Sequence, residues 1–306
     1  MQNDINAFRI NFYNTYHSFL LPKISSFESI RKHKLIKALV ISGILIVLGI
    51  IFGIMVILAD DDKDIRLPIL LIGAGLVTYS TIKKNFENSI KDKIMSTVVK
   101  CFGNDMRWCQ IYTEDRLFEE AGAIPRYERV EFDDVFQGLY KGVNIDIVES
   151  EYEKGHGKGR RTTFDGVVIK LDMNKSFNSH TIVCSDHLFH SSPLNSLKRT
   201  ELEDVEFEKK YDVFTNDPVE ARYLLSPAFM EKLKKVSIAF HCTNINCAFY
   251  KNNLIIALST SADLFSIGSL VKPVADPKQF EELLNQFVSI LALIDILELD
   301  KKTNYK

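Results

Sequence analysis

Residues 38–58 read ALVISGILIVLGIIFGIMVIL, without one charged side chain. At ~1.5 Å rise per residue, about 20 residues cross the ~30 Å hydrocarbon core of a bilayer. In water such a helix would expose a large apolar area, at roughly 25 cal/mol per Å². The stretch therefore reads as a membrane span, with a buried helix of a soluble core as the competing reading. Gly43, Gly49 and Gly53 weaken a soluble helix but suit close helix packing, and Gly49 and Gly53 have GxxxG spacing.

A second apolar stretch, 67–82, reads LPILLIGAGLVTYSTI. Pro68 suits a first helical turn. Arg66 and Lys83 can snorkel outward and lengthen the span, and Gly73 and Gly75 give it a small face. A re-entrant or interfacial segment is the alternative. Arg31, Lys32, Lys34 and Lys37 precede the first stretch, and Lys83, Lys84, Lys91 and Lys93 follow the second. Between the stretches lies the mostly acidic Asp60-Asp61-Asp62-Lys63-Asp64. Lys and Arg accumulate on the cytoplasmic side. The expectation is a multi-pass protein of the cell inner membrane, with both termini cytoplasmic.

Beyond these stretches the composition is ordinary, at 46% hydrophobic and 25% charged. A net charge of −2 gives no overall basic field for nucleic acid. The five cysteines lack CxxC spacing, which favours a reducing compartment over a disulfide framework. Three parts are expected: a cytoplasmic amphipathic arm (1–34), a transmembrane hairpin (35–83) and a cytoplasmic α+β domain (84–306).

In the arm, Phe8, Phe12, Tyr16, Phe19 and Leu20 recur near the helical period, as in a helix packed on its own protein or on an interface. Helix should continue from Asn85 to about Cys101, through Phe86, Ile90, Ile94 and Val98. Residues 143–148 alternate apolar and polar as a half-buried strand does, and 167–171 form a second strand. Further strands are expected at 180–185, 207–214, 236–240, 247–250 and 254–258, with Lys251-Asn252-Asn253 as a hairpin turn. Such short connections favour antiparallel pairing. Asp217 and Ser226, each followed by proline, mark helix starts, with Glu220 completing a capping box and pairing structurally with Arg222. A long helix begins at Pro277, with Phe280, Leu283, Leu284, Phe287, Leu291 and Ile294 on one face. The fold class is α+β: an N-terminal transmembrane helical hairpin plus a soluble domain with a mainly antiparallel sheet and a C-terminal helix.

The block Val205-Glu206-Phe207-Glu208-Lys209-Lys210-Tyr211-Asp212-Val213, followed by Asp217-Pro218-Val219-Glu220-Ala221-Arg222-Tyr223-Leu224-Leu225-Ser226-Pro227-Ala228-Phe229-Met230, is distinctive. With Phe164-Asp165-Gly166, Ala262-Asp263-Leu264-Phe265 and the paired apolar stretches, it resembles a bacterial two-span membrane-protein family. That family is classed as domain of unknown function 3137 and sometimes labelled galanin-like. The resemblance covers most of the chain and implies no activity, cofactor or functional residue.

Two groups carry candidate chemistry. The glycine-rich segment between the first two strands places Lys154, Lys158, Arg160 and Arg161 together, suited to anionic lipid headgroups, with a solvated turn as the plain reading. His180, Cys184, His187 and His190 are dense enough for a metal site, although their spacing matches no common zinc motif. His241-Cys242 with Cys247 is a thinner set of the same kind. Glu201, Glu203, Asp204, Glu206 and Glu208 read as the wet face of a strand. No GxxxxGK[ST], GxSxG or HExxH occurs. The expected function is a membrane-anchored, non-catalytic interaction module without a cofactor. Its partners would be the bilayer, a cytosolic protein or anionic lipid, and a second copy through the transmembrane helices. The alternative is a membrane-bound hydrolase dependent on metal or thiol.

Overall fold

The computed structural model describes residues 2–58, 65–102, 105–173, 175–185, 196–202, 205–262, 264–265, 267–296 and 303–304. It divides into two compact units. One comprises Met1–Phe12, Val99–Phe265 and Glu281–Lys306; the other comprises Tyr13–Val98 and Ser266–Phe280.

The first unit is built on an antiparallel sheet, nine-stranded among the described residues. Its strands are β1 (Arg107–Cys109), β2 (Arg129–Tyr140), β3 (Val143–Lys154), β4 (Arg161–Asp172), β5 (Thr181–Cys184), β6 (Lys198–Thr200), β7 (Asp212–Thr215), β8 (Asn244–Tyr250) and β9 (Asn253–Ser259). Their spatial order is β1-β2-β3-β4-β9-β8-β5-β7-β6. A separate two-residue parallel ladder joins 175–176 to 303–304.

Strands β8 and β9 are buried along almost their whole length, which explains their nearly continuous apolar sequence. Lys251 and Asn252, both at positive φ, form the tight turn between them. On one face, Val135, Val148, Tyr152, Phe164, Val168, Ile182 and Ile255 pack with Tyr112, Phe118, Ile124 and Tyr127. On the other, Phe136 meets Phe265 and Phe287. Gly166, in the Phe164-Asp165-Gly166 motif, is where β4 passes closest to its neighbour. It adopts φ +147°, and a Cβ there would collide with the Leu258 carbonyl oxygen.

Several expectations need correction. Residues 236–240 are not a strand, because the second capped helix, Pro227–Ala239, absorbs all but Phe240. Strand β7 begins at Asp212, and Val205–Glu208 is a helical turn rather than a strand with a wet acidic face. Strand β2 is an addition: its Phe132-Asp133-Asp134 carries a bulge that breaks the two-residue period. Asp217 caps Pro218–Leu224 by accepting from the amides of Val219 and Glu220, and Ser226 caps from Phe229. Glu220 does not close a capping box. Its carboxylate accepts instead from the amides of Asn178 (3.2 Å) and Ser179 (2.7 Å), while Arg222 donates to the Glu201 carbonyl.

The second unit holds two long helices, α2 (Glu28–Leu58) and α3 (Arg66–Val98). The arm helix α1 (Gln2–Thr15) runs into a π-turn, Tyr16–Leu20. That wider turn shifts the buried position by one residue. Leu20 is therefore inside and Phe19 outside, where the periodic pattern places both together. Helix Pro277–Ile296 starts as expected, with Asp276 accepting from the Lys278 amide.

Candidate functional site

The apolar surface of the second unit is built by α2 and α3. Ala38, Ser42 and Gly49 of α2 and Pro68 and Gly75 of α3 are buried. A Cβ on Gly49 would lie 2.7 Å from Ile72 and 3.0 Å from the Pro68 carbonyl; one on Gly75 would lie 2.8 Å from Ile46 and 3.0 Å from the Ser42 carbonyl. Only glycine lets the backbones approach so closely, and these crossed contacts show that the helices run antiparallel. Gly53 faces Pro68, so both glycines of the GxxxG spacing serve this contact. Around the outside, Leu39, Ile44, Val47, Ile51, Met55 and Leu58 of α2 and Leu67, Ile69, Leu70, Leu76 and Val77 of α3 are exposed. Full burial of such a side chain from water is worth about 1.5–3 kcal/mol, and these forgo roughly half of it or more. Helix α2 is long and apolar enough to cross a membrane.

In the first unit, β3 and β4 form a long hairpin whose tip holds the basic cluster. Lys154, Lys158, Arg160 and Arg161 are all exposed. Acidic neighbours temper the tip. Arg160 lies 3.7 Å and Arg129 3.9 Å from Glu153, and Glu128 accepts from the Gly155 amide at 3.0 Å while lying 3.3 Å from His156. Lys154, Lys158 and Arg161 project without an ion pair among the described residues. The tip therefore presents a locally basic, exposed surface.

Of the histidine and cysteine candidates, His187 and His190 lie outside the described residues. His180 bonds the Ala121 carbonyl through Nε2 at 2.8 Å and lies tilted against Tyr250. Burial holds its pKa below the usual histidine value, with the Ala121 carbonyl offsetting part of the effect. Cys184 sits at the end of β5, four positions on; extended backbone separates the two by about 13 Å. The structure does not bring this pair to a common point. Burial also pushes the Cys247 thiol up, and the Cys101 thiol up to about 12, far from thiolate reactivity at neutral pH.

Sequence reasoning missed two clusters, both created by pairing across the sheet. The β2 bulge turns Asp133 and Asp134 toward Glu149, so that one carboxylate oxygen of each lies within 4.8 Å of the others. Asp134 accepts from the Trp108 indole at 2.6 Å and Glu149 from the Leu264 amide at 3.1 Å. Such oxygens suit a hard divalent cation, and the two hydrogen bonds also give them a purely structural role. Nearby, buried Lys170 reaches Glu114 at 2.5 Å, Asp146 at 3.2 Å and Asp172 at 3.6 Å. Tyr112 and Gln137 donate to the same Asp146. Burial pulls the Lys170 pKa down, but the three carboxylates outweigh it and hold the pKa above the usual lysine value. An adjacent Asp-Asp pair was the one visible signal for the first cluster; the second had none.

The fold thus defines an α+β domain on a nine-stranded antiparallel sheet, in a chain that also carries an apolar helix able to cross a membrane. Residues 162–299 match the family model described as "Protein of unknown function (DUF3137)". No curated protein matches the sequence. The crystal structure of the mycobacterial trehalose monomycolate transport factor A, TtfA, is similar at 14% identity over 54% of this chain and 75% of that chain. Its TM-score of 0.29 carries no argument about fold or function.

Proposed function

We propose that this protein is a membrane-anchored, non-catalytic interaction module of the cell inner membrane. Helices α2 and α3 cross the bilayer as a hairpin with both termini in the cytoplasm. The sheet unit engages a cytosolic protein or anionic lipid, with Lys154, Lys158, Arg160 and Arg161 at the hairpin tip as its contact. The observation that carries this reading is the outward-facing apolar surface of α2 and α3, bounded at one end of the antiparallel pair by Lys32, Lys34 and Lys37 of α2 and by Lys83 and Lys84 of α3. A fully apolar exterior is what a lipid environment favours, and basic flanks on the terminal sides set the orientation.

Reporter fusions after Asp62 and after Lys306 test the topology. An external signal at Asp62 with an internal signal at Lys306 is expected; an external signal at Lys306 defeats the cytoplasmic assignment. Liposome flotation of the full chain cannot isolate the tip, since the anchor itself binds. The tip is tested instead by cross-linking to lipid or protein in native membranes from a photoreactive side chain in place of exposed His156, which every variant keeps. Loss of every cross-linked species on joint substitution of the four basic residues is the expected result, and an unchanged pattern would remove the tip from the interface.

A further inference from the structure

The segment Ser266–Phe280 belongs to the same unit as the two long helices, and its path can be read from its partners on them. Gly268 abuts Ile90 on α3. Two residues on, the Leu270 amide donates to Glu87 Oε1 at 3.1 Å. The Arg31 guanidinium, buried on α2, then donates to the carbonyls of Leu270 (2.9 Å) and Val271 (3.4 Å). Finally, the Val274 amide donates to Glu28 Oε2 at 3.2 Å. On α3, the step from Ile90 to Glu87 leads toward the apolar stretch. On α2, the step from Arg31 to Glu28 leads away from it. The segment therefore climbs toward the apolar surface, turns at Val271 and Lys272, and descends. Ser269 Oγ accepts from the amides of both turn residues, at 3.2 and 3.4 Å, and so fixes the apex.

We infer that this apex is a membrane-interface anchor that inserts Val271 among anionic phospholipid headgroups and sets Lys272 on their phosphates. The inference rests on the proposed membrane crossing of α2 and α3. At ~1.5 Å per residue, Arg31 lies about 10 Å along its helix from Ala38 and Glu87 about 8 Å from Ile82. Headgroups add roughly 5–8 Å to each side of the hydrocarbon core, which sets the apex at their aqueous edge. Val271 is 58% exposed, an apolar side chain held outward by a rigid turn, and Lys272 and Pro273 are exposed beside it. Complementary charge surrounds it: Lys32, Lys34, Lys37, Lys83 and Lys84 are all exposed at the same end of the helix pair. Two acids at this level, Glu28 and Glu87, are turned onto the segment's own amides. The exposed basic ends of α2 and α3 link their apolar outer surface to the level of the apex, so one bilayer serves both.

The test uses the full chain in vesicles of phosphatidylglycerol and phosphatidylcholine, carrying a fluorophore on Val271→Cys or, as a deep reference, on Val47→Cys. The unsubstituted chain taken through the same labelling supplies the blank. Expected are loss of emission at Val47→Cys with an acyl-chain quencher and loss at Val271→Cys with a headgroup-level quencher. The second loss should shrink in phosphatidylcholine alone and when Lys272→Glu is added. If Val271→Cys stays as open to aqueous iodide as in detergent while Val47→Cys is quenched by lipid, the anchor is refuted and the crossing survives. Shielding of Val271→Cys from both iodide and lipid quenchers would mean that protein covers the apex, which also refutes it. An unquenched Val47→Cys would defeat the crossing itself, and the anchor with it.

Discussion

Helices Glu28–Leu58 and Pro277–Ile296 are both rich in Leu and Ile, yet they place those side chains in opposite surroundings. In the second, Leu283, Leu284, Phe287, Ile290, Leu291 and Ile294 are buried, and Lys278, Glu281, Glu282 and Asn285 take the exposed side. Phe287 stacks on Phe102 with ring centroids 3.9 Å apart. In the first, the only buried residues beyond Arg31 are Ala38, Ser42 and Gly49, all small, and most of the large side chains are exposed. Hydrophobicity alone therefore does not tell a core helix from an outward-facing one. What distinguishes them is the size of the residues turned inward: large against a sheet, small against a second helix.

Phe287→Ala breaks the inward-facing side of this contrast most severely. It should cost about 3–5 kcal/mol in denaturant unfolding of the detergent-solubilised chain, followed through the fluorescence of Trp108, the one tryptophan. Ile51→Ala, which truncates an outward side chain of α2, should leave that transition in place. Equal losses would end the distinction between the helices.

Lys170→Met comes next. It strands Asp146 in a buried site and should cost roughly 3 kcal/mol by the same measurement. Because the folded-state pKa of Lys170 is raised, its contribution is fully present below the unfolded value of about 10.4 and is lost as pH rises through the folded value. The variant should thus flatten stability against pH above about 10. Some slope will remain from Tyr112, whose hydroxyl is also pushed up, by burial and by Asp146. An unchanged alkaline slope would show that Lys170 is not the group responsible.

A smaller effect sharpens the helix-pair side. Gly75→Leu should separate α2 from α3 at a cost of about 1–3 kcal/mol, seen as lost thermal stability of the pair in detergent. Gly73→Leu, with nothing within 4 Å of the position, should have no such cost. The smallest effect is at a helix cap: Asp217→Ala, which removes the acceptor for two amides, should lower unfolding stability by about 1 kcal/mol.

Much was legible wherever a local rule acts alone. Pro218 and Pro227 after Asp217 and Ser226 announced two helices, because the missing proline amide and the side-chain acceptor both belong to a first turn. The apolar runs of β8 and β9 announced buried strands. Legibility failed where a residue's partner lies far along the chain. Glu220 looked like half of a capping box, yet it satisfies the amides of 178 and 179. The π-turn at Tyr16–Leu20 defeated a simple periodic reading, as did the bulge at Asp133.

By itself, then, the sequence determined the uncharged apolar helix, the caps, the alternating strands and the α+β class, because each follows from neighbouring side chains and backbone geometry. Only the tertiary structure decided the nine-strand order, the gathering of Asp133, Asp134 and Glu149, the carboxylates around Lys170, and the clasp of Arg31 on Leu270 and Val271. Strand pairing and helix packing juxtapose residues tens to hundreds of positions apart, and no local periodicity records which of them will meet.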